Sequence, residues 1–175
     1  RVLTPIDMTY PGSAPQTARQ PTRVSDGVAT TGTIPRRLFG HRIDEQALAI
    51  HVEGKGIVLV VGCGHQTLTR LIEHTEAVFE APIWGVVGGL HYPVPEGRMM
   101  VAGLNLQRLL ASGNGPHDPL DMQDVDRELG LLEERDVGLV AIGGHDSSDE
   151  VVAYARQRFG DAYRSVRVGE PITVP

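Results

Sequence analysis

The stretch from residue 57 to residue 65 reads Ile-Val-Leu-Val-Val-Gly-Cys-Gly-His. Its first five residues are apolar and rich in strand formers, and the glycines after them let the chain turn sharply. The same succession returns twice: Ile83–Val87 leads through Gly-Gly-Leu to His91, and Val137–Ile142 leads through Gly-Gly to His145. We therefore predict three buried strands, each followed by glycine and then by an imidazole.

These three strand endings define a candidate metal site. Ligands bind at strand ends in layered α/β folds because the loops there open into a crevice, and imidazole is the commonest side-chain ligand of zinc. His65, His91 and His145 are therefore candidates for a shared site. A single histidine near a strand end is more often a hydrogen-bonded structural residue, and that alternative stays open for each. Cys63 is either a small buried side chain or a soft ligand beside His65.

The segments around the three strands predict helices layered on a sheet. Residues 46–52 and 57–61 flank Glu-Gly-Lys-Gly and predict a β-hairpin. Periodic apolar residues and capping signals predict helices over 67–79, 99–111 and 122–135 and a fourth that starts after Ser148, with a last strand near 164–168. The order hairpin, helix–strand, helix–strand, helix–strand indicates an α/β or layered α+β fold.

The first 40 residues differ in character from the rest. They contain five prolines and five arginines and show little periodicity. We predict a Pro-rich extended segment over residues 1–40, with one short strand near Val28, that leads into a domain over residues 41–175. A flexible linker is the alternative.

Composition excludes several classes of function. The net charge of -6 argues against a nucleic-acid partner, which requires a concentrated basic face. No stretch approaches the roughly 18 apolar residues of a membrane span, so no membrane partner is expected. The single cysteine cannot form an internal disulfide, and we therefore expect a cytoplasmic protein.

Five segments follow one another in this order: Thr31-Gly32-Thr33-Ile34-Pro35-Arg36, Asp44-Glu45-Gln46-Ala47-Leu48, Gly62-Cys63-Gly64-His65, Gly88-Gly89-Leu90-His91 and His145-Asp146-Ser147-Ser148. They resemble the TGEIPR-like, DDQALV-like, GCSH, GGFHL and HCTG segments of one branch of the metallo-β-lactamase superfamily. Members of that branch are often labelled 7,8-dihydropterin-6-methyl-4-(β-D-ribofuranosyl)-aminobenzene-5′-phosphate synthase. The resemblance extends over residues 30–172.

The resemblance implies a fold and a set of site residues. The fold would be the C-terminal half of a four-layer αβ/βα sandwich. The activity would be that of a metal-dependent hydrolase of an ester or phosphoester, with a pterin-related substrate among the candidates. His65 and His145 would be metal ligands, and Cys63 a secondary candidate where many members place a metal-bridging aspartate. His91 would line the pocket and act on a small anionic substrate. Zinc is the expected divalent metal, with manganese or iron compatible with the same ligands.

The departures from the family pattern concern catalysis. The superfamily's H-x-H-x-D-H motif is absent from this chain, so we expect an N-terminal companion segment or chain that carries it. Half a sandwich exposes an apolar sheet face, which predicts a tightly packed partner or an oligomer. Gly64 replaces a serine, and Asp146 follows His145, either to orient it or as a solvated side chain. Arg36 is expected in an exposed loop or at an anionic substrate. The alternative function is a degenerate or non-catalytic metal- or anion-binding domain.

Overall fold

A computed structural model describes residues 1–38, 41–111 and 119–174 of the chain. The strands are, in chain order, β1 Leu3–Thr4, β2 Gln16–Thr17, β3 Thr22–Ser25, β4 Val28–Thr30, β5 Ile34–Leu38, β6 His41–Glu45, β7 Leu48–Val52, β8 Gly56–Val61, β9 Ile83–Gly88, β10 Met100–Val101, β11 Leu104–Asn105 and β12 Leu139–Ile142. The α-helices are α1 Leu68–Phe79, α2 Met122–Glu133 and α3 Asp149–Phe159. Short 3₁₀ helices span Gln107–Leu110 and Gly160–Ala162.

The centre of the molecule is a six-stranded mixed sheet in the order β12-β9-β8-β7-β4-β3. β7 and β8 form the predicted antiparallel hairpin. β9 pairs parallel with β8 on one side and with β12 on the other. The three apolar runs are strands, as predicted, and the structure makes them parallel neighbours whose carboxyl ends lie at one edge of the sheet.

The helices begin where the sequence carries capping residues. The Thr67 side chain accepts a hydrogen bond from the backbone of the first turn of α1, and Ser148 does the same for α3. Asp121 forms a reciprocal capping box with Asp124 at the start of α2. The apolar stripes of the helices join the sheet in one core. Its helical members include Leu68, Leu71, Ile72, Val125, Leu129, Leu132 and Val151, and its sheet members include Leu59, Val86 and Val140.

The opposite face of the sheet is only partly covered. Leu48, Val60 and Val87 lie side by side on three adjacent strands, and all three remain partly or largely accessible. Val60 is 36% exposed, whereas its neighbour Leu59 is fully buried. The sheet therefore has one face packed by helices and one face with an accessible apolar row.

Three expectations from the sequence need correction. The predicted helix over 99–111 is wrong: Met100–Val101 and Leu104–Asn105 form a two-stranded hairpin, and only a 3₁₀ helix follows. The predicted strand near 164–168 is wrong too, although Arg164 still donates a backbone hydrogen bond to β12. Residues 1–38 contain five strands rather than one, because β3 and β4 extend the central sheet.

A flexible linker therefore does not describe the early part of the chain. β5 and β6 form a hairpin that lies on both sides of the predicted boundary at residue 40. The division into residues 1–40 and 41–175 stays a prediction. Within the described residues, no helix combines the length and the apolar character needed to cross a membrane.

Candidate functional site

The turn after β8 carries Cys63 and His65. Gly64 in this turn has a φ of 74°, and a Cβ there would lie 2.5 Å from the carbonyl oxygen of Gly89. A residue with a side chain at this position would collide with the neighbouring backbone and strain its own. Glycine thus lets the turns after β8 and β9 touch, which brings their side chains to one place.

The His65 ring is held by a carboxylate from the strand before β7. Nδ1 of His65 hydrogen bonds to Oε1 of Glu45, the last residue of β6. Burial opposes the ionisation of Glu45, but its hydrogen bond to His65 and the attraction between the two groups lower the pKa of Glu45 below the ordinary value. The contact fixes the orientation of the ring, because it engages one of the two ring nitrogens.

The turn after β9 places His91 in the interior. His91 has a φ of 53°, which is uncommon for a residue with a side chain, and it is only 6% exposed. Gly89, two residues earlier, donates its backbone N–H to the carbonyls of Val61 and Gly62. A Cβ on Gly89 would lie 2.6 Å from Oδ2 of Asp146, so only glycine allows the aspartate this close.

The loop after β12 buries an aspartate and two serines. Asp146, Ser147 and Ser148 are each no more than 3% exposed. The backbone N–H of Tyr92 donates to the Ser147 hydroxyl at 3.2 Å, and Ser148 donates to the carbonyl of Val94. These bonds tie the loop to the segment that follows His91, and they hold Asp146 beside that histidine.

His65, His91 and Asp146 form a compact group, which we call the rim cluster. The ring centroids of His65 and His91 lie 4.3 Å apart. Nδ1 of His91 is 3.7 Å from Oδ2 of Asp146, which is beyond hydrogen-bond distance. Both nitrogens of His91 and both carboxylate oxygens of Asp146 are buried and have no hydrogen-bond partner in the described part of the chain. Buried groups left in this state are costly and indicate a missing ligand, ion or water.

Cys63 lies at the edge of the rim cluster. Its side chain is half-buried and free of any disulfide. Burial raises the pKa of the Cys63 thiol, and the negative charges of Asp146 and Glu45 raise it further. The thiol is therefore protonated at neutral pH, and it would need a bound cation to become a thiolate ligand.

The structure brings together only some of the predicted site residues. The rings of His65 and His91 are in contact, and the negative charge of Asp146 raises the pKa of Cys63. His145 follows β12 as predicted, but its side chain is exposed. Among the described residues, no group of three or more His, Cys, Asp or Glu side chains is arranged to hold a metal ion. The roles given to His65, His91, His145 and Cys63 stay predictions.

Three contacts differ from what the sequence indicated. Asp146 lies beside His91 rather than orienting its neighbour His145. Arg36 is buried in β5, where it donates to the carbonyls of His65 and Ala111, so it is not an exposed loop residue. The Glu45 contact with His65 was missed. In the sequence, Glu45 is recognisable only as part of the acidic pair Asp44-Glu45. That pair does not indicate a partner 20 residues away.

Comparison with known proteins shows a likeness of fold rather than of sequence. No family model matches the sequence, and no curated protein matches it. Among solved structures, the fold is similar to that of Tm1679, a metal-dependent hydrolase of the β-lactamase superfamily, with a TM-score of 0.61 and 16% sequence identity. The match covers 91% of this chain and 59% of that chain.

At this identity the likeness concerns the fold alone. The six-stranded mixed sheet and its three helices correspond to part of the Tm1679 chain, since the match leaves a substantial share of that structure uncovered. The chain therefore has a mixed α/β fold that resembles part of a metallo-β-lactamase-superfamily hydrolase.

Proposed function

We propose that this chain is the C-terminal part of a metal-dependent hydrolase that cleaves an ester or a phosphoester. An N-terminal portion with an H-x-H-x-D-H motif, on the same polypeptide or on a companion chain, completes the site. The fold likeness to a hydrolase that is described as metal-dependent supports the class of activity. Its partial coverage of that hydrolase supports the need for a further portion.

The observation that carries the proposal is the unsatisfied state of the rim cluster. Two buried imidazole nitrogens and two buried carboxylate oxygens have no partner in the described chain, and a second imidazole lies against them. A substrate bound beside His65 would supply the bonds that His91 and Asp146 lack, and the imidazole of His65 is a donor that zinc, manganese and iron accept. The rim cluster therefore fits a substrate next to a divalent metal, although the described residues do not form a complete metal site.

The proposal assigns roles to the residues of this chain. His65 and His145 are metal ligands, and Cys63 is a secondary one. Since Glu45 engages Nδ1 of His65, Nε2 is the nitrogen left for an ion. A bound divalent metal lowers the pKa of a water ligand towards neutrality and polarises the bond to be cleaved.

His91 acts on the substrate in this proposal. Its ring is buried, so a substrate oxygen in contact with it is shielded from bulk water, and a hydrogen bond there is strengthened. Asp146 lies 3.7 Å from Nδ1 of the same ring, which leaves Nε2 for the substrate. With a proton on each ring nitrogen, His91 faces the Asp146 carboxylate through Nδ1 and donates from Nε2 to the oxyanion or the phosphate of a small anionic substrate.

The accessible face of the sheet supports the proposal that a companion portion packs against this chain. Leu48, Val60 and Val87 form an apolar row on the side of the sheet away from the helices. In a four-layer sandwich this is the face that packs against the other sheet. We propose that the N-terminal portion covers it, which would place its metal-binding motif at the edge that holds the rim cluster.

The test measures metal content and hydrolysis in the longest gene product that contains this chain. His65→Ala and His145→Ala should each lower bound zinc, manganese or iron, measured by mass spectrometry of the elements, and abolish hydrolysis of p-nitrophenyl acetate or bis(p-nitrophenyl) phosphate. His91→Asn should keep the metal and lower turnover about 100-fold, because it removes only a donor to the substrate. His51→Ala, at an exposed position of β7, is the matched control and should change neither quantity.

Full metal content together with full hydrolysis in His145→Ala would remove the late histidine from the site. Normal turnover in His91→Asn would do the same for the pocket role of His91. Each substitution thus decides one assignment separately.

A second function is metal binding without turnover, because the H-x-H-x-D-H motif that would complete a catalytic site is absent from these 175 residues. Metal bound tightly in the complete gene product, with no hydrolysis of any ester or phosphoester, would favour this function over the first.

A further inference from the structure

A cavity of about 950 Å³ opens between the hairpin β5–β6 and the helices α1 and α2. Its walls carry an unusual number of arginines. The five arginines that line it are Arg36, Arg37, Arg42, Arg70 and Arg127. None of the residues of the rim cluster lines this cavity. It is therefore a separate feature of the molecule.

The concentration of positive charge in the cavity runs against the charge of the whole protein. Five of the 16 basic residues line it, against three of the 22 acidic ones, Glu73, Asp124 and Glu128, in a chain of net charge -6. Glu128 is already occupied by hydrogen bonds from Tyr92 and from the start of α1. The remaining carboxylates do not balance the guanidinium groups, so the cavity attracts anions.

Two of the arginines have donors to spare. The Arg37 side chain is exposed and forms no hydrogen bond or ion pair with another described residue. Arg70 donates from one side-chain nitrogen to the carbonyl of Pro35 at 3.0 Å. An arginine presents five N–H donors in a planar fork that matches phosphate oxygens. These two side chains come from different elements, β5 and α1, and can approach one ligand from two sides.

The other arginines are held in place by the protein. Arg36 is buried and donates to the carbonyls of His65 and Ala111, which fixes the back of the cavity. Arg42 pairs with Asp44, and Arg127 with Asp124. Guanidinium groups fixed in this way lose little side-chain entropy when an anion binds.

The cavity also has an apolar side and the size for an organic ligand. Leu120, Leu131 and Pro35 contribute apolar surface. Pockets for small molecules measure roughly 300–1,000 Å³ and combine apolar walls with a few oriented polar groups. A lone inorganic phosphate would fill only a small part of this volume. A concave pocket in an acidic protein does not provide the extended basic face that nucleic acid requires.

We infer that this cavity binds a phosphorylated small molecule, with the phosphate or diphosphate group on Arg37, Arg70 and Arg127 and the organic body against Leu120 and Leu131. The site does not depend on the proposed hydrolase activity, because it shares no side chain with the rim cluster. The two sites are connected indirectly, because the Arg36 guanidinium donates a hydrogen bond to the backbone carbonyl of His65.

The test is calorimetric titration of the full gene product with pyrophosphate at a fixed, moderate salt concentration. The wild-type protein should bind pyrophosphate more tightly than citrate, because the fork geometry favours phosphate. The double variant Arg37→Gln/Arg127→Gln should bind pyrophosphate at least about 10-fold more weakly. The control Arg23→Gln/Arg167→Gln makes the same change in net charge at exposed arginines outside the cavity. It should bind within about 2-fold of the wild type, since distant exposed charges are screened.

Absence of measurable pyrophosphate binding by the wild type, equal weakening in both double variants, or equal affinity for citrate would each overturn the inference. Hydrogen exchange adds a measurement that needs no variant. Pyrophosphate should slow the exchange of backbone amides in residues 68–73 and 122–131, which border the cavity, and protection confined to other segments would contradict the assignment. Neither experiment measures hydrolysis. A failure of the proposed hydrolase function can therefore be distinguished from a failure of this inference.

Discussion

Two consecutive residues, His91 and Tyr92, belong to two different buried polar clusters. The clusters differ in whether their polar groups have hydrogen-bond partners. Tyr92 is fully buried, and its hydroxyl donates to Oε2 of Glu128 at 2.5 Å. The same carboxylate accepts hydrogen bonds from the backbone of Leu68 and the hydroxyl of Thr69. His91, the residue before Tyr92, is buried beside Asp146, and neither side chain has a hydrogen-bond partner in the described chain.

This difference indicates that the first cluster stabilises the fold, whereas the second is suited to binding a ligand. A buried polar group with its partners in place costs the fold little, whereas an unpartnered one costs roughly 1–3 kcal/mol. The Glu128 network joins α1, α2 and the segment after β9, and so it stabilises the helical layer. His91 and Asp146 of the rim cluster form no side-chain hydrogen bond with the described residues, so they are retained at a cost. Groups of this kind are expected where a ligand or an ion supplies the missing bonds.

The largest expected effect comes from breaking the partnered cluster. Glu128→Ala leaves the buried hydroxyl of Tyr92 and the amide of Leu68 without an acceptor. We expect the free energy of unfolding to fall by about 3 kcal/mol. Urea denaturation followed by circular dichroism measures this change. Glu133→Ala, on the same helix, removes a surface ion pair with Arg158 and should cost less than about 1 kcal/mol. Equal losses in the two variants would contradict the role given to Glu128.

Truncating the unpartnered cluster should have a smaller effect of the opposite sign. Asp146→Ala removes a buried carboxylate that has no hydrogen-bond partner. In metal-free protein we expect the free energy of unfolding to rise by about 1 kcal/mol. Asp161→Ala, at an exposed position, serves as the control and should change it by less than about 0.5 kcal/mol. A loss of stability in Asp146→Ala would mean that the carboxylate stabilises the fold through contacts within the protein.

The sheet and the long helices could be predicted from the sequence because local signals decide them. Continuous apolar runs followed by glycine specify buried parallel strands, and Thr67 and Ser148 cap the helices that were expected after them. The segment around residues 99–111 misled the prediction, since its apolar residues have helical spacing. Ala102 and Gly103 both have positive φ, which closes a tight hairpin, and the apolar side chains there stay exposed.

The candidate site was predictable only in part. The shared strand endings brought His65 and His91 to one edge, and the contact between their rings agrees with that reasoning. The partners of these rings depend on tertiary packing instead. Glu45 reaches His65 from another strand, and Asp146 reaches His91 because a glycine at position 89 leaves room for it. No local pattern contains that information.

The smallest expected effect is on the pH dependence of stability, and it compares two carboxyl groups of the helical layer, Glu128 and Glu76. Burial raises the pKa of Glu128 above the ordinary value of 4.5, although the hydrogen bonds from Tyr92 and the start of α1 act in the opposite direction. The hydrogen bond from Arg135 lowers the pKa of Glu76 below the same ordinary value, with burial opposing it. Burial therefore outweighs the neutral donors around Glu128, whereas the cationic partner of Glu76 outweighs burial.

The two shifts predict opposite dependences on pH. The pH-dependent part of the contribution of Glu128 to stability is complete below pH 4.5 and is lost as the pH rises through its higher folded-state pKa. The contribution of Glu76 is complete above pH 4.5 and is lost as the pH falls through its lower folded-state pKa. The free energy of unfolding, measured from about pH 3 to about pH 7 for the wild type, Glu128→Gln and Glu76→Gln, tests both signs. The difference between the wild type and Glu128→Gln should shrink as the pH rises, and the difference for Glu76→Gln should grow. Two differences that change in the same direction would show that the partner does not determine how these carboxyl groups ionise.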